Sequence, residues 1–110
     1  MLNDKELGNL LLDYYGELLT KHQRGILEEY FKEDLSMIEI AENYNISKSA
    51  VSDLIKRSLK QLNDYESKLQ LIMLGKRTDD LIERMRSEQN EFLDKYANEL
   101  EEINRGEENV

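Results

Sequence analysis

Residues 36–62, SMIEIAENYNISKSAVSDLIKRSLKQL, decide the fold of this chain. Ser36 and Glu39 stand three residues apart, which is the spacing of a capping box at the start of a helix. Asn45 follows a run of apolar residues at helical spacing, and Asn tolerates the left-handed backbone that a sharp turn requires. Ser47 is a suitable N-cap for a second helix. The stretch therefore predicts two helices joined by a tight turn, which is the arrangement of a helix-turn-helix motif.

Apolar and small residues occupy the positions where the two helices of such a motif meet. Ala41 is small enough to let the helices approach each other. We expect the contact across the turn to be made by four apolar side chains, Ile40, Ile46, Val51 and Leu54. Because the same pair of helices also serves as a protein-docking module, the motif alone leaves nucleic acid and protein open as ligands.

The charge of the chain is strongly acidic, but one segment departs from the average. Residues 1–46 hold ten acidic and four basic residues, residues 47–60 hold one and four, and residues 61–110 hold thirteen and seven, which gives −6, +3 and −6. A net charge of −9 argues against a generic nucleic-acid binder. The one basic segment coincides with the second helix of the motif, although chance could also place four cations in a helix of this length.

The composition bounds the remaining organisation. The chain has 110 residues, no Cys and no Pro, which favours a nearly all-helical protein without disulfides. No apolar run approaches the roughly 20 residues of a membrane span, and the N-terminus lacks the basic lead of a signal peptide. We expect a cytoplasmic protein with no membrane contact.

Two further helices are predicted before the motif. Residues 4–19 form an amphipathic first helix with Asn3 or Asp4 as its cap, and Thr20 with Gln23 makes a capping box for the second. The first turn of that second helix carries Lys21, His22 and Arg24. These cations would either contact a phosphate backbone or form a solvated helix end, and we favour the solvated end.

The C-terminal part reads as one long helix. Asn63 and Asp64 interrupt the helical pattern, with Glu66 placed to close another capping box, and Gly75 then ends it. Thr78 caps a helix that would run to about Asn104. Residues 105–110 form an acidic tail. We therefore predict an all-α protein with a helix-turn-helix domain at residues 1–75, built as a bundle of three to four helices, and a long C-terminal helix at residues 76–110.

An apolar seam of heptad-like spacing follows this predicted helix, interrupted by Gln89. The seam is about 30 Å long, and the small helix-turn-helix domain is too short to cover all of it. We therefore favour a seam between molecules, in a homodimer or higher homo-oligomer. The seam residues are Ile82, Met85, Phe92, Tyr96, Leu100 and Ile103.

The sequence contains no arrangement of residues that is typical of a catalytic or metal-binding site. The carboxylates fall at regular solvent-facing helical positions, and no Cys/His metal spacing or glycine-rich phosphate loop occurs. His22 is the one His, so no Ser has a plausible base elsewhere. We predict no catalytic residues, no metal, no cofactor and no enzymatic activity.

With the chain laid out, a family resemblance is apparent. Residues 19–72, LTKHQRGILEEYFKEDLSMIEIAENYNISKSAVSDLIKRSLKQLNDYESKLQLI, resemble the YlxM-like family of small helix-turn-helix proteins, and the motif resembles the promoter-reading region of sigma factors. The resemblance covers roughly residues 1–75. It implies an all-helical fold and, because family members are encoded beside signal recognition particle genes, a regulatory part in that pathway.

The sequence departs from the family pattern where the recognition helix begins. The family often has Ser-Arg-Gln there, whereas this chain has Ser47, Lys48 and Ser49. Lys and Ser are poorer than Arg and Gln at bidentate contacts to base edges, which weakens the expectation of sequence-specific reading more than that of backbone binding.

Three hypotheses follow. The first is a dimeric DNA-binding regulator in which Lys48, Ser49 and Ser52 face base edges while Lys56, Arg57 and Lys60 hold phosphates. The second is an adaptor that docks on a protein of the targeting or transcription machinery, or on the structured RNA of the signal recognition particle. The third is an oligomeric helical adaptor whose seam is its function. We favour the first.

Overall fold

A computed structural model of the chain describes residues 3–106. In this range the protein is all-α, as predicted, with a 3₁₀ turn at Gly16–Leu18 and no strand, and it forms two compact units that divide between Gln70 and Leu71. The six α-helices are α1 (Asp4–Tyr15), α2 (Lys21–Phe31), α3 (Met37–Tyr44), α4 (Lys48–Leu69), α5 (Leu71–Ser87) and α6 (Glu91–Asn104).

Side-chain caps fix the starts of the helices in the first unit, and they are the ones the sequence predicted. Asn3 caps α1, and Thr20 with Gln23 forms a full capping box at α2. At α3 the Ser36 hydroxyl accepts from the Glu39 N–H at 3.1 Å and the Ser36 N–H donates to Glu39 Oε1 at 3.0 Å. Each such cap contributes about 1 kcal/mol to its helix. The starts of the helices in the first unit could therefore be located from the sequence.

The core of the first unit lies between α1, α2, α3 and α4. Helix α1 buries Leu11, Leu12 and Tyr15 and leaves Leu7 and Tyr14 exposed. The remaining buried side chains come from all four helices and from the turn after α1, and they are Leu19, Ile26, Leu27, Phe31, Ile40, Ala41, Val51, Ile55, Ser58 and Leu62.

Helix α4 is longer than predicted. The expected interruption at Asn63 and Asp64 is wrong, because Asn63 Nδ2 donates back to the Leu59 carbonyl at 3.0 Å and the helix continues to Leu69. Glu66 therefore caps no helix start. The helix ends at Gln70, whose φ of 55° lies in the left-handed region.

The predicted helix end at Gly75 and cap at Thr78 are also wrong. Thr78 Oγ1 donates within the helix to the carbonyls of Leu74 and Gly75, both at 2.9 Å, so its hydroxyl is used inside α5. The predicted domain boundary at residue 75 consequently falls inside α5, and the two compact units divide at Gln70.

The second unit is a helical hairpin where the sequence predicted one long helix. Gln89 has a φ of 52°, and Asn90 Oδ1 then accepts from the Phe92 N–H at 2.9 Å to cap α6. Arg86 joins the two helices through a 3.0 Å ion pair with Glu101, and each charge stabilises the other. The hydrogen bond lowers the pKa of Glu101 and raises that of Arg86. Of the predicted acidic tail, residues 107–110 lie outside the described range.

Candidate nucleic-acid interface

The turn between α3 and α4 has the geometry of a helix-turn-helix. Asn45 adopts φ 54° and ψ 46°, the left-handed conformation that its residue type predicted, and its N–H donates to carbonyls in the last turn of α3. The Ile46 N–H also donates to the Ala41 carbonyl, at 3.1 Å. Two backbone donors thus fold the chain back on α3 and aim α4 across it.

Helices α3 and α4 pack through the apolar positions that the sequence singled out. Ile40, Ala41 and Val51 are buried, whereas Ile46 and Leu54 are half-buried at the edge of the contact. Ile55, one helical turn after Val51, is also buried. With these side chains directed inward, the opposite face of α4 is left to solvent.

The N-terminal half of α4 presents polar and basic side chains on that outer face. The Ser47 hydroxyl accepts from the Ala50 N–H at 3.0 Å, and the first turn contains no acidic residue. The positive end of the helix therefore points to solvent without a compensating carboxylate in its first turn. Four of the six predicted residues line one shallow concavity there together with Met37 and Asp53, namely Lys48, Ser49, Ser52 and Lys56.

The other two predicted residues, Arg57 and Lys60, lie on α4 outside the lining of this concavity. Both are exposed. Arg57 Nε forms an ion pair with Asp53 Oδ2 at 2.9 Å. One candidate phosphate ligand is thus already paired with the acidic residue of the segment, whereas Lys48, Lys56 and Lys60 have no carboxylate partner in residues 3–106.

Two of the three side chains named at the start of α2 contact other residues of the first unit. Arg24 pairs with Glu28 at 2.9 Å, and the His22 ring lies edge-on to the Tyr44 ring at 5.6 Å. Burial, followed by the nearby Glu29 carboxylate, raises the pKa of Tyr44. Arg24 and His22 thus have structural partners, which favours the reading of this turn as a solvated helix end.

A partly buried polar network links α4 to α1 and α2, and sequence reasoning missed it. Gln23 Nε2 donates to Ser58 Oγ at 3.2 Å and to Gln61 Oε1 at 3.3 Å. Gln61 Nε2 in turn donates to the Tyr65 hydroxyl at 2.9 Å. The Tyr15 hydroxyl donates to Glu66 Oε1 at 2.5 Å. The Thr20–Gln23 cap was visible in the sequence, but partners 35 residues or more away in the chain were not.

The predicted apolar seam is divided between two helices, so it is not one continuous stripe. Ile82 on α5 is buried, and Met85 and Leu100 are half-buried. Phe92, Tyr96 and Ile103 remain on an outer face of α6, with exposed fractions of 77%, 57% and 65%. Their spacing of four and seven residues places these three side chains in line along α6.

Among residues 3–106 no group of three or more His, Cys, Asp or Glu side chains is arranged to hold a metal ion. In the same range no helix combines the length and apolarity needed to cross a membrane.

A tight left-handed turn, a buried helix–helix contact and an outward-facing second helix together define a helix-turn-helix protein. The family model "Putative helix-turn-helix protein, YlxM / p13 like" matches residues 2–103. The chain belongs to this family, which confirms the resemblance seen in its sequence.

The family is also designated UPF0122, and relatives in several bacteria carry that designation. The chain is 44% identical over 98 residues to the UPF0122 protein of Clostridium kluyveri, covering 82% of this chain and 88% of that protein. It is 42% identical over 102 residues to the UPF0122 protein of Clostridium perfringens, covering 86% and 91%. The UPF0122 protein of Desulforamulus reducens is 53% identical over 64 residues, which span 58% of this chain and 55% of that protein.

Proposed function

We propose that the protein is a non-enzymatic regulator that binds duplex nucleic acid through the outer face of α4. The observation that carries the proposal is the shared concavity of Lys48, Ser49, Ser52 and Lys56 at the uncompensated N-terminus of the motif's second helix. In helix-turn-helix proteins it is the N-terminal part of this helix that reaches base edges in the major groove.

Charge sets the strength of the expected binding. About four cations on α4 give a slope of log affinity against log salt concentration near −3 to −4 for one protomer, and twice that for two. The Asp53–Arg57 pair and the acidic remainder of the chain both oppose a polyanion. We expect non-specific binding no tighter than roughly 10⁻⁴ to 10⁻⁵ M.

The side chains available for base reading favour backbone binding over strong sequence preference. Lys48 is a point charge on a flexible stem, and Ser49 and Ser52 make single hydrogen bonds, so none forms the bidentate contact that discriminates one base pair. Lys56, Arg57 and Lys60 would hold phosphates.

A second candidate function is supported by the acidic flanks of the basic segment, which carry −6 each. In this case the protein is an adaptor that meets a basic protein of the signal recognition particle or transcription machinery, or the structured RNA of the particle. The link to that particle rests on the genomic association of the family. Both functions belong to the cytoplasm.

The exposed stripe of α6 supports a homo-oligomer. Phe92, Tyr96 and Ile103 are large apolar side chains on one solvent-facing line, which is unusual on a helix that already buries its opposite side. We propose that two copies cover this stripe, which would also place two α4 helices on one ligand.

The function is tested by titrating the protein with labelled random duplex DNA, with signal recognition particle RNA and with a basic targeting protein. Preferred binding of duplex DNA supports the first function. Binding of the RNA or of the protein alone would replace it with the second.

A further inference from the structure

The first unit contains an apolar cavity beside the concavity on the outer face of α4, and the two share Met37 and Lys56 in their linings. It has a volume of about 470 Å³ and is bounded by α1, the end of α2, the start of α3 and the middle of α4. Sites for small organic ligands commonly measure about 300–1,000 Å³. The apolar part of its wall consists of Leu7, Leu11, Phe31, Met37, Ile55 and Leu59.

The wall of the cavity depends on a glycine. A Cβ built on Gly8 would lie only 2.3 Å from Phe31 Cε1, so the Phe31 ring rests against bare backbone of α1. Phe31 and Leu11 are both buried. These contacts hold one side of the cavity in place without a bound molecule, and a largely preformed site is typical of ligand pockets.

The two lysines at the rim differ in whether they already have a carboxylate partner. Lys5 is already paired with Asp34 and lies 5.8 Å from the centre of the Tyr30 ring. Lys56 is exposed and forms no ion pair within residues 3–106. Asp4 is the carboxylate at the rim, and its place in the first turn of α1 lets the helix dipole offset its charge.

We propose that this cavity binds a small amphipathic carboxylate, of the medium-chain fatty-acid type. The apolar chain would lie against Leu7, Met37 and Leu59, which keep part of their surface exposed, and the carboxylate would meet the Lys56 ammonium at the rim. An apolar lining beside an exposed lysine that forms no ion pair within residues 3–106 matches that chemistry.

The position of Lys56 connects this site with the outer face of α4. Lys56 and Met37 line both the apolar cavity and the concavity that contains Lys48, Ser49 and Ser52. A carboxylate held at Lys56 would remove one of the cations that α4 offers to phosphates, which lowers the magnitude of the salt slope of nucleic-acid binding by close to one. This coupling rests on the proposed function, whereas the binding of the carboxylate does not.

The direct test is calorimetric titration of the full chain with sodium decanoate below its micelle concentration, beside decyltrimethylammonium of the same chain length. We expect decanoate to bind, Lys56→Gln to weaken it about threefold to fivefold, and Lys68→Gln, an exposed cation later in α4, to leave it unchanged. Leu7→Trp, at a partly exposed wall position, should fill the mouth and weaken binding at least tenfold while circular dichroism remains unchanged.

The outcomes separate the two proposals. No heat and no amide chemical-shift change with decanoate would overturn the ligand site, whatever the protein does with DNA. Stronger binding of the cationic amphiphile would assign the site to Asp4 and overturn the carboxylate. If decanoate binds and DNA affinity stays the same in its presence, the coupling is wrong. If DNA never binds, the proposed function fails while the ligand site stands on its own titration.

Discussion

Asp53 Oδ2 lies 2.9 Å from Arg57 Nε, one turn apart on the outer face of α4. The pair is exposed, so it contributes little to stability, but it occupies a guanidinium that a phosphate could otherwise bind. Asp53 is the one acidic residue among the four cations of residues 47–60, and the structure identifies Arg57 as the cation with which it pairs.

Asp53→Asn should therefore strengthen nucleic-acid binding. Removing the carboxylate frees Arg57 and deletes one negative charge beside the phosphates, so we expect affinity to rise about threefold to tenfold at low salt and the salt slope to become steeper by close to one. Fluorescence anisotropy with labelled duplex DNA measures both. Asp64→Asn, in the second half of α4, should have no effect; equal gains from both variants would indicate a non-local charge effect.

Tyr15→Phe should destabilise the first unit. The buried Tyr15 hydroxyl donates to Glu66, and its loss leaves a half-buried carboxylate without that donor, at a cost of about 1–2 kcal/mol in the free energy of unfolding. Chemical denaturation gives the value. Tyr14→Phe is the matched control because Tyr14 is exposed, and its effect should stay within about 0.5 kcal/mol. Similar losses at the two positions would show that the hydrogen bond is not the cause.

Gly25 and Tyr44 should be energetically coupled. A Cβ on Gly25 would lie 2.5 Å from Tyr44 Oη but 3.6 Å from Cζ, so the hydroxyl alone is crowded. Gly25→Ala should cost about 1 kcal/mol in the wild-type background, since Tyr44 must move. In the Tyr44→Phe background the same change should stabilise α2 by about 0.5–1 kcal/mol, because the conformational freedom of glycine is removed without a clash. A double-mutant cycle measures the coupling, and additive effects would contradict it.

Phe92→Ser with Tyr96→Ser should weaken self-association. The two rings are exposed on one line of α6, and burying them between copies would contribute about 3 kcal/mol or more, a factor of about one hundred in the dimer dissociation constant. Sedimentation equilibrium measures it. Lys95→Ser, on the same helix, is the control. A wild-type protein that is monomeric at all concentrations would remove the basis for the oligomer.

Local chemistry explains what could be predicted from the sequence. The caps at Thr20, Ser36 and Ser47, and the left-handed turn at Asn45, depend on residues within four positions of each other, and these were predicted correctly. For the first helix the sequence left Asn3 and Asp4 open, and the structure shows that Asn3 is the cap. The C-terminal hairpin was missed because Gln89 rather than Gly adopts the left-handed turn, while Gly75 and Thr78 lie inside α5.

The candidate site was predictable in position but not in detail. Charge counting located the basic segment on α4. It could not show that Arg57 is paired with Asp53, that Lys48 and Lys56 share a concavity with Met37, or that Glu66 accepts from Tyr15, since each depends on side-chain placement in three dimensions.

The most direct measurement is the salt dependence of binding to random duplex DNA, compared between the wild-type protein and Lys56→Glu with Arg57→Glu. Lys68→Glu with Lys76→Glu is the control, because it changes the net charge equally at exposed positions outside the basic segment of residues 47–60. We predict a wild-type slope near −3 to −4 per protomer, at least a tenfold loss of affinity and a nearly flat slope in the first variant, and wild-type behaviour or only a small loss in the control. Equal binding by the wild type and the Lys56/Arg57 variant, or no binding at low salt, would contradict a nucleic-acid interface on α4.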